Sequence, residues 1–316
     1  MKIPILIVAG ATASGKTSLS VELAKKYSGE IVNADSMQIY KEMNIGTAKP
    51  NEEEKAGIKH YLMDFLDPHD SYSVADYVQD AHKCIEEIVI SGKLPIITGG
   101  TGLYINSLAD DVDFSEQPES AKIKEELTEI HKIHGAEYMH DMLKNIDPQS
   151  AEKIPKENVR RVIRAIEYYR VNGITISEHN RMTKQKESRY IPLMLAISWD
   201  RDILYKRIEE RVDIMLKNGL SEEVEALYKK GFNKKMQSMQ GIGYKQLLDY
   251  FRGFSTFDEA VNIIKRDSRR YAKRQLTWFK RDKRINWIDA KSDILKEACA
   301  YTDEFLSENK QILRKI

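Results

Sequence analysis

An octet near the start of the chain, Gly-Ala-Thr-Ala-Ser-Gly-Lys-Thr at residues 10–17, could bind a polyphosphate. It has the spacing of a phosphate loop, which follows a strand and opens a helix. The flanking patterns predict a buried strand over Ile3–Ala9 and an amphipathic helix over Thr17–Lys26. Backbone N–H groups and the helix N-terminus would hold the phosphates, while Thr17 would bind Mg²⁺ through its hydroxyl. The predicted diphosphate- or nucleotide-binding residues are Gly10, Ala11, Thr12, Ala13, Ser14, Gly15, Lys16 and Thr17.

A carboxylate follows the second predicted strand, Glu30–Asn33. Because the carboxyl ends of parallel strands lie at one edge of a sheet, we expect Asp35 to lie beside the phosphate loop. There it could meet the magnesium ion, or it could act as a general base toward an acceptor nucleophile. An aspartate that only caps the following turn is the alternative interpretation.

A third predicted strand, Leu94–Thr98, runs into Gly99, Gly100 and Thr101. The two glycines would allow the backbone to approach a ligand closely, and Thr101 would offer a hydroxyl and an N–H group. An ordinary strand-to-helix turn explains the same residues equally well. The strand does not end in the magnesium-holding acid of a conventional ATPase, which favours a pyrophosphate-bearing substrate over ATP as fuel.

Two arginines one helical turn apart, Arg207 and Arg211, lie on a predicted helix over Asp202–Asn218. Arginine suits a leaving pyrophosphate because its planar fork binds two oxygens and stays charged. A salt-bridged helix face with Glu209 and Glu210 is the alternative.

Positive charge is concentrated near the end of the chain. Residues 265–284 hold ten Lys or Arg and two Asp, although the whole chain has a net charge of only +1. Arg270, Lys273 and Arg274 fall at helical spacing on a predicted helix over Phe257–Lys280, where they could follow a row of phosphates. Arg160, Arg161 and Arg164 would extend this surface. Solvated basic faces without a ligand are the alternative.

Alternating strands and helices predict an α/β fold, in which a phosphate-loop NTPase-like parallel sheet is flanked by helices on both faces. The pattern contains no convincing strand between about residues 114 and 185, which predicts an all-helical insertion with helices over Lys122–His134, Ala136–Asn145 and Glu157–Val171. The expected organisation is a first core part at 1–113, a helical insertion at 114–187, and a core continuation with basic helices at 188–316. The predicted strands are Ile3–Ala9, Glu30–Asn33, Tyr61–Phe65, Leu94–Thr98, Pro192–Ser198 and Ile285–Ile288.

Composition excludes several classes of protein. Hydrophobic residues make up 41% and charged residues 31% of 316, and no run of about 18 apolar residues could span a membrane. Cys84 and Cys299 are too few for a disulfide framework, and the seven histidines lack metal-ligand spacing. We therefore expect a cytoplasmic chain without a signal peptide or a membrane partner.

Eight motifs, in the same order along the chain, resemble the tRNA dimethylallyltransferase (tRNA isopentenyltransferase) family in its bacterial form. The phosphate loop is the first. The others are Asp-Ser-Met-Gln-Ile-Tyr (35–40), Asn-Ile-Gly-Thr-Ala-Lys-Pro (44–50), Leu-Asp-Pro (66–68) with Tyr-Ser-Val-Ala-Asp-Tyr (72–77), Gly-Gly-Thr-Gly-Leu-Tyr (99–104), Arg-Arg-Val-Ile-Arg-Ala (160–165), Gly-Ile-Gly-Tyr-Lys (241–245) and Ala-Lys-Arg-Gln-Leu-Thr-Trp-Phe (272–279).

The resemblance implies a reaction. A dimethylallyl group moves from dimethylallyl diphosphate to N6 of the adenosine directly 3′ of a tRNA anticodon, and pyrophosphate leaves with Mg²⁺ assisting. By resemblance, Asp35 accepts the N6 proton, Thr101 binds the bridging oxygen of the diphosphate, and Lys16 and Arg211 stabilise its charge, with Thr17 as the metal ligand.

The resemblance also implies which residues meet the tRNA anticodon stem-loop, and the helical insertion would be the lobe that grips it. We expect the chain to act as a monomer. The implied tRNA-binding residues are Asp35, Ser36, Met37, Gln38, Lys124, Arg160, Arg161, Val162, Ile163, Arg164, Gln240, Gly241, Ile242, Gly243, Tyr244 and Lys245, and the basic helix adds Arg270, Lys273 and Arg274.

Two other functions remain open at this stage. A phosphate-loop kinase of a small molecule or nucleotide would use Asp35 to activate an acceptor hydroxyl, but it leaves the basic helix and the insertion unexplained. A nucleotide-dependent RNA-binding module without chemistry would explain the basic patches, but it gives Asp35, Thr101 and Arg211 no role.

Overall fold

The computed structural model describes residues 2–114 and 120–310. The chain forms two compact units: Met1–Ala109 together with Arg189–Ile316, and Asp110–Ser188. In the described residues, no helix is long and apolar enough to cross a membrane.

The first unit is built on a parallel sheet, which confirms the predicted α/β class. Its six described strands are arranged in the order β3-β2-β4-β1-β5-β6, and every pairing is parallel. The four central strands are largely buried because helices cover both faces of the sheet, whereas the edge strands β3 and β6 are only partly buried. Their bounds are β1 Ile3–Ala9, β2 Gly29–Asn33, β3 His60–Tyr61, β4 Leu94–Gly99, β5 Tyr190–Ser198 and β6 Ile285–Asp289.

The pairing register of the strands places the strand ends that carry the motifs at one edge of the sheet. Ala9, the last residue of β1, lies opposite Gly99 of β4. Asn33, the last residue of β2, lies opposite Thr98 of β4. The loops after β1, β2 and β4 therefore start side by side at the carboxyl edge of the sheet, which is where ligands bind in such folds.

One predicted strand is wrong in its extent. The prediction of Tyr61–Phe65 rested on an apolar run, but β3 ends at Tyr61. Leu62 and Asp64 have φ angles of 55° and 59°, which a strand does not allow. The run instead folds along the segment after β2, where Phe65 donates its N–H to Ile39 O at 3.0 Å.

Helices follow the strands in the first unit and make up the second. The long helix α12 starts at a capping box, in which Thr256 accepts from Glu259 N and the Glu259 side chain accepts from Thr256 N. The bounds are α1 Lys16–Lys26, α2 Glu52–Lys55, α3 Val74–Ile90, α4 Gly102–Ala109, α5 Ser120–Ile146, α6 Pro148–Lys153, α7 Val159–Asn172, α8 Ile176–Gln185, α9 Arg201–Lys217, α10 Leu220–Lys229, α11 Tyr244–Phe251, α12 Phe257–Phe279 and α13 Ile294–Glu308, with a 3₁₀ turn at Ser238–Gln240.

The second unit is helical, and its described residues, 110–114 and 120–188, contain no strand. Helix α5 is interrupted at Gly135, whose φ of 81° and ψ of 179° are not helical, and this break separates the two helices predicted there. The core of the unit includes Leu127 and Leu143 from α5 and Ile166 from α7, all without exposed surface.

Candidate functional site

A pocket of about 330 Å³ lies in the first unit, at the carboxyl edge of the sheet. Its wall combines polar groups from the phosphate loop with apolar side chains from α9. The pocket-lining residues that the sequence singled out are Thr12, Lys16, Thr17, Asp35, Ser36, Met37, Gln38, Arg211, Gln240, Gly241, Ile242, Gly243, Tyr244, Lys245 and Arg274.

The phosphate loop has the backbone that its glycines allow. Gly10 and Gly15 have φ angles of 149° and 93°, and Gly15 is the N-cap residue of α1. Two loop carbonyls are bound from outside: Trp199 Nε1 donates to Ser14 O at 2.9 Å, and Arg207 Nε donates to Ala13 O at 3.0 Å. Because these carbonyl oxygens are engaged elsewhere, they do not repel an anion in the loop.

Lys16 lies in the pocket, and its Nζ donates to Ala11 O at 3.3 Å. Burial lowers the pKa of Lys16 to about 8, while the negative charge of Asp35 raises it and the positive charge of Arg211 lowers it. An ammonium that is poorly hydrated and only partly neutralised is suited to bind an anionic ligand. Lys16, Asp35 and Arg211 are thus brought together as predicted.

The two arginines of α9 have different surroundings. Arg211 lines the pocket, and burial lowers its pKa while Asp35 raises it. Arg207 supports the phosphate loop from behind, with its guanidinium 4.3 Å from the centre of the Trp199 ring. Glu209 pairs with Arg269 instead, so the salt-bridged face that was the alternative does not form through Arg207 or Arg211.

Asp35 combines the two interpretations that the sequence left open. Its Oδ1 accepts the backbone N–H of Met37 at 2.9 Å, which is the expected turn cap. Its carboxylate also lines the pocket, close enough to Lys16 and Arg211 to shift their pKa values. The cap holds the side chain in place, and a polar contact to a substrate is available through Oδ2.

Thr101 is hydrogen-bonded to Ser36, the residue that follows Asp35. Its hydroxyl oxygen accepts the N–H of Ser36 at 3.0 Å and donates to Ser36 Oγ at 3.3 Å, and its own N–H donates to Ala34 O. Ser36 lines the pocket, whereas Thr101 is half-buried beside it. Tyr271 joins this group: burial and the charge of Asp35 raise its pKa, while its hydrogen bonds with Thr101 and Gln275 act in the opposite direction.

The glycines after β4 serve the protein's own packing. A Cβ at Gly99 would lie 2.2 Å from Ala34 O, and one at Gly100 would lie 2.2 Å from Gln275 Nε2. Both glycines thus make room for neighbouring parts of the chain, and Gly99 also lines the pocket, so close approach of this backbone to a ligand stays a prediction.

Several implied tRNA residues are held by hydrogen bonds around the pocket. Gln38 Nε2 donates to Thr47 O at 3.1 Å and to Ala48 O at 3.0 Å. Tyr244 is fully buried, and its hydroxyl donates to Glu223 Oε1 at 2.6 Å. Burial, with the charge of Glu223 as a smaller cause, raises the pKa of Tyr244.

The other implied tRNA residues fall into two groups, exposed cations and buried core residues. On α12, Arg270 and Lys273 are exposed, although neither lines the pocket. In the second unit, Lys124, Arg160, Arg161 and Arg164 are exposed. Val162 and Ile163 pack in the core of that unit, with 0% and 8% of their surface exposed.

Sequence reasoning missed three residues that shape the pocket. Gln275 and Tyr271 lie one turn apart on the buried face of α12, and that spacing is the signal that could have found them. Glu223 is the third, and it accepts hydrogen bonds from the N–H groups of residues 44–46.

The residues present fit a magnesium ion that is bound mainly by phosphate oxygens. Thr17 and Asp35 supply hard oxygen donors in the pocket. The described residues contain no group of three or more His, Cys, Asp or Glu that could hold a metal ion by itself. Magnesium in phosphate sites is commonly held by one or two protein oxygens, with substrate oxygens and water completing the shell.

Comparisons with known proteins agree with this geometry. A family model described as IPP transferase matches residues 38–282. The tRNA dimethylallyltransferase of Acetivibrio thermocellus is 49% identical over 308 residues, which cover 98% of this chain and 95% of the relative. The tRNA dimethylallyltransferase of Clostridioides difficile is 50% identical over 288 residues, which cover 91% of this chain and 92% of the relative.

Solved structures show the same similarity. The tRNA isopentenylpyrophosphate transferase of Bacillus halodurans aligns with a TM-score of 0.75 and 39% identity, over 98% of this chain and 99% of that one. A eukaryotic dimethylallyltransferase acting on tRNA aligns with a TM-score of 0.83 and 28% identity, over 97% and 80% of the two chains. The chain therefore belongs to the IPP transferase family, the family of the bacterial tRNA dimethylallyltransferases.

Proposed function

We propose that this chain transfers a dimethylallyl group from dimethylallyl diphosphate to N6 of the adenosine directly 3′ of a tRNA anticodon and releases pyrophosphate. Membership of the family makes the chain a transferase. The observation that carries the proposal is that Lys16, Arg211 and Asp35 line one pocket. The two cations could bind a diphosphate, and the carboxylate could accept a proton from an amino group.

The pocket also has an apolar wall of the right kind for a five-carbon chain. Ile208, Val212 and Met215 of α9 line it one turn apart, next to Arg211. A dimethylallyl group would pack on these side chains while its diphosphate lies in the phosphate loop. A kinase is not favoured, because β4 ends in Thr98 and Gly99 without an acid to hold the metal of ATP.

In the proposed step, one bond forms, one bond breaks and one proton is transferred. N6 attacks the first carbon of the dimethylallyl group, the bond from that carbon to the bridging oxygen breaks, and the N6 proton passes to Asp35. Lys16 and Arg211 stabilise the charge that develops on the departing diphosphate. Thr101, which is hydrogen-bonded to Ser36, would bind the bridging oxygen of the diphosphate. Magnesium, held with Thr17, would neutralise part of the phosphate charge.

The tRNA would be held by two sets of residues. Ser36, Met37, Gln38, Arg274 and residues 240–245 line the pocket and would meet the target nucleotide. The exposed cations outside the pocket would contact phosphates, which position the RNA without reading its sequence. These cations are Lys124, Arg160, Arg161, Arg164, Arg270 and Lys273.

Replacing the proposed base tests the function. Purified protein is incubated with Mg²⁺, dimethylallyl diphosphate and unmodified tRNA, and the nucleosides are analysed by mass. We expect N6-dimethylallyl adenosine from the natural protein, and a turnover lower by about 10² to 10⁴ in Asp35→Asn, since that is what a general base contributes. Affinity for tRNA should stay within about twofold.

The matched control is Asp258→Asn, which changes an exposed aspartate in the first turn of α12. Unchanged turnover in Asp35→Asn would show that Asp35 is not the base. Absence of the prenylated nucleoside from the natural protein would refute the reaction, and ATP turnover would then support a kinase.

A further inference from the structure

Helix α12 presents two different faces along its length. Tyr271, Gln275 and Trp278 recur at spacings of four and three residues and point into the protein, where Gln275 is only 6% exposed. Arg270 and Lys273 lie on the exposed face. The inward face contacts the loops that follow β1 and β4, so one helix carries both basic side chains and the support of the pocket.

Gln275 joins the two loops directly. Its Oε1 accepts the backbone N–H of Thr12 at 2.9 Å, within the phosphate loop. Its Nε2 donates to Gly100 O at 2.9 Å, in the turn between β4 and α4. One uncharged amide therefore connects the loop that holds Lys16 to the turn that holds Thr101.

An amide suits the chemistry at this position. One partner is a backbone donor and the other a backbone acceptor, and only a side chain with both an acceptor and a donor satisfies them. Gly100 leaves room for this side chain, since a Cβ there would lie 2.2 Å from Nε2. Trp278 fixes the next turn of the helix, because its Nε1 donates to Asn106 Oδ1 at 3.2 Å and its ring packs on Gly102.

We propose that Gln275 is a positioning residue, which sets the separation between the phosphate loop and the Thr101 turn and thereby shapes the diphosphate site. The role rests on the proposed function for its effect on transfer, but its effect on diphosphate binding needs no reaction. Gln275 contacts no reacting atom in this proposal. It acts through Thr12 and Gly100, and its loss would let the two loops move apart.

Gln275→Met tests this role, since methionine keeps the length and shape but neither hydrogen bond. We expect the dissociation constant for inorganic diphosphate with Mg²⁺ to rise about tenfold, and kcat per folded site to fall by about tenfold or more, because small misplacements of reacting groups are costly. The dissociation constant for tRNA should change less than about twofold, because the exposed face of α12 is unaltered.

The matched control removes an exposed amide from the same helix. Asn262→Met changes a side chain on α12 that is exposed, and it should leave diphosphate affinity and turnover as they are. Gln275→Asn serves as a second variant if Gln275→Met does not fold, since it is neutral and too short to reach both partners. It should weaken diphosphate binding in the same direction.

The outcomes separate the two proposals. A purely structural role would lower the melting temperature and the folded fraction, while the folded molecules kept the natural diphosphate affinity and kcat, and that result would overturn the positioning role. If the natural protein binds diphosphate but transfers no prenyl group, the proposed function fails. Weaker diphosphate binding in the Gln275 variants would still support the positioning role.

Discussion

At the scale of single residues, the site depends on Lys16, whose charge depends on the pH and on the groups around it. Burial lowers the pKa of Lys16 to about 8, close to physiological pH, and the nearby charge of Arg211 acts in the same direction. The negative charge of Asp35 partly opposes this. Under the proposed function, however, Asp35 would accept a proton during the reaction and would then no longer offset the charge of the lysine. In the proposed reaction, the diphosphate would be the counter-charge that keeps Lys16 protonated.

We expect the affinity for diphosphate to fall as the pH rises through about 8. Bound diphosphate favours the charged form of Lys16, so the pKa of Lys16 is higher with the ligand than without it. Above the pKa of the ligand-free protein, Lys16 must therefore take up a proton when diphosphate binds. Below about pH 7 Lys16 is already charged, and affinity should no longer depend on this group. Titration calorimetry with inorganic diphosphate and Mg²⁺ between pH 6.5 and pH 9.5 measures the effect.

Lys16→Arg provides the control for the titration of diphosphate itself. Arginine stays protonated over the whole range, so the ratio of the two dissociation constants isolates the contribution of Lys16. A ratio that is constant from pH 6.5 to pH 9.5 would contradict a lysine pKa near 8.

At the scale of secondary-structure elements, one carboxylate joins three segments around the pocket. Glu223 of α10 accepts the N–H groups of Asn44, Ile45 and Gly46 at 2.8, 2.8 and 3.1 Å, and it accepts the hydroxyl of Tyr244 from α11. Gly46 must be glycine, because a Cβ would lie 2.5 Å from the Tyr244 ring. Residues 46–48 line the pocket, so this carboxylate supports its wall.

Replacement of Glu223 by Gln should destabilise the first unit by about 3 kcal/mol, because an N–H₂ group would face backbone donors and charge-assisted hydrogen bonds would be lost. Urea unfolding measures the change in free energy. Glu222→Gln, one residue away and exposed, is the matched control and should change it by less than about 0.5 kcal/mol. Equal effects of the two substitutions would contradict the assigned hydrogen bonds.

The elements also show how far a sequence can predict this molecule. The strands β1, β2 and β4 were predictable because each is an apolar run beside a motif. The extent of β3 was not, since the positive φ angles of Leu62 and Asp64 depend on packing along the segment after β2. Gln275 and Glu223 were missed because their partners lie 263 and 179 residues away in the chain.

At the scale of the whole molecule, positive charge is concentrated in one segment although the net charge is close to zero. The net charge is +1, but residues 265–284 alone carry +8. Some of these cations are paired, as in the contacts of Arg269 with Glu209 and of Lys265 with Asp213. Lys273 is exposed and has no ion pair among residues 2–114 and 120–310, which leaves it available for a phosphate of the RNA.

We therefore expect tRNA affinity to fall steeply with salt, and removal of Lys273 to make that fall shallower. Each phosphate contact contributes about 0.7 to 0.9 to the slope of log K against log salt, so Lys273→Gln should reduce the slope by about that amount. Filter binding or fluorescence anisotropy between 50 and 300 mM salt measures this slope.

The control is Lys296→Gln, which changes an exposed lysine on α13 outside the basic segment and should leave the slope unchanged. Diphosphate affinity should not change in either variant, because neither side chain lines the pocket. An unaltered slope in Lys273→Gln would show that Lys273 does not contact a phosphate of the RNA, and the other exposed cations, Arg270 on the same helix first, would then be tested in the same way.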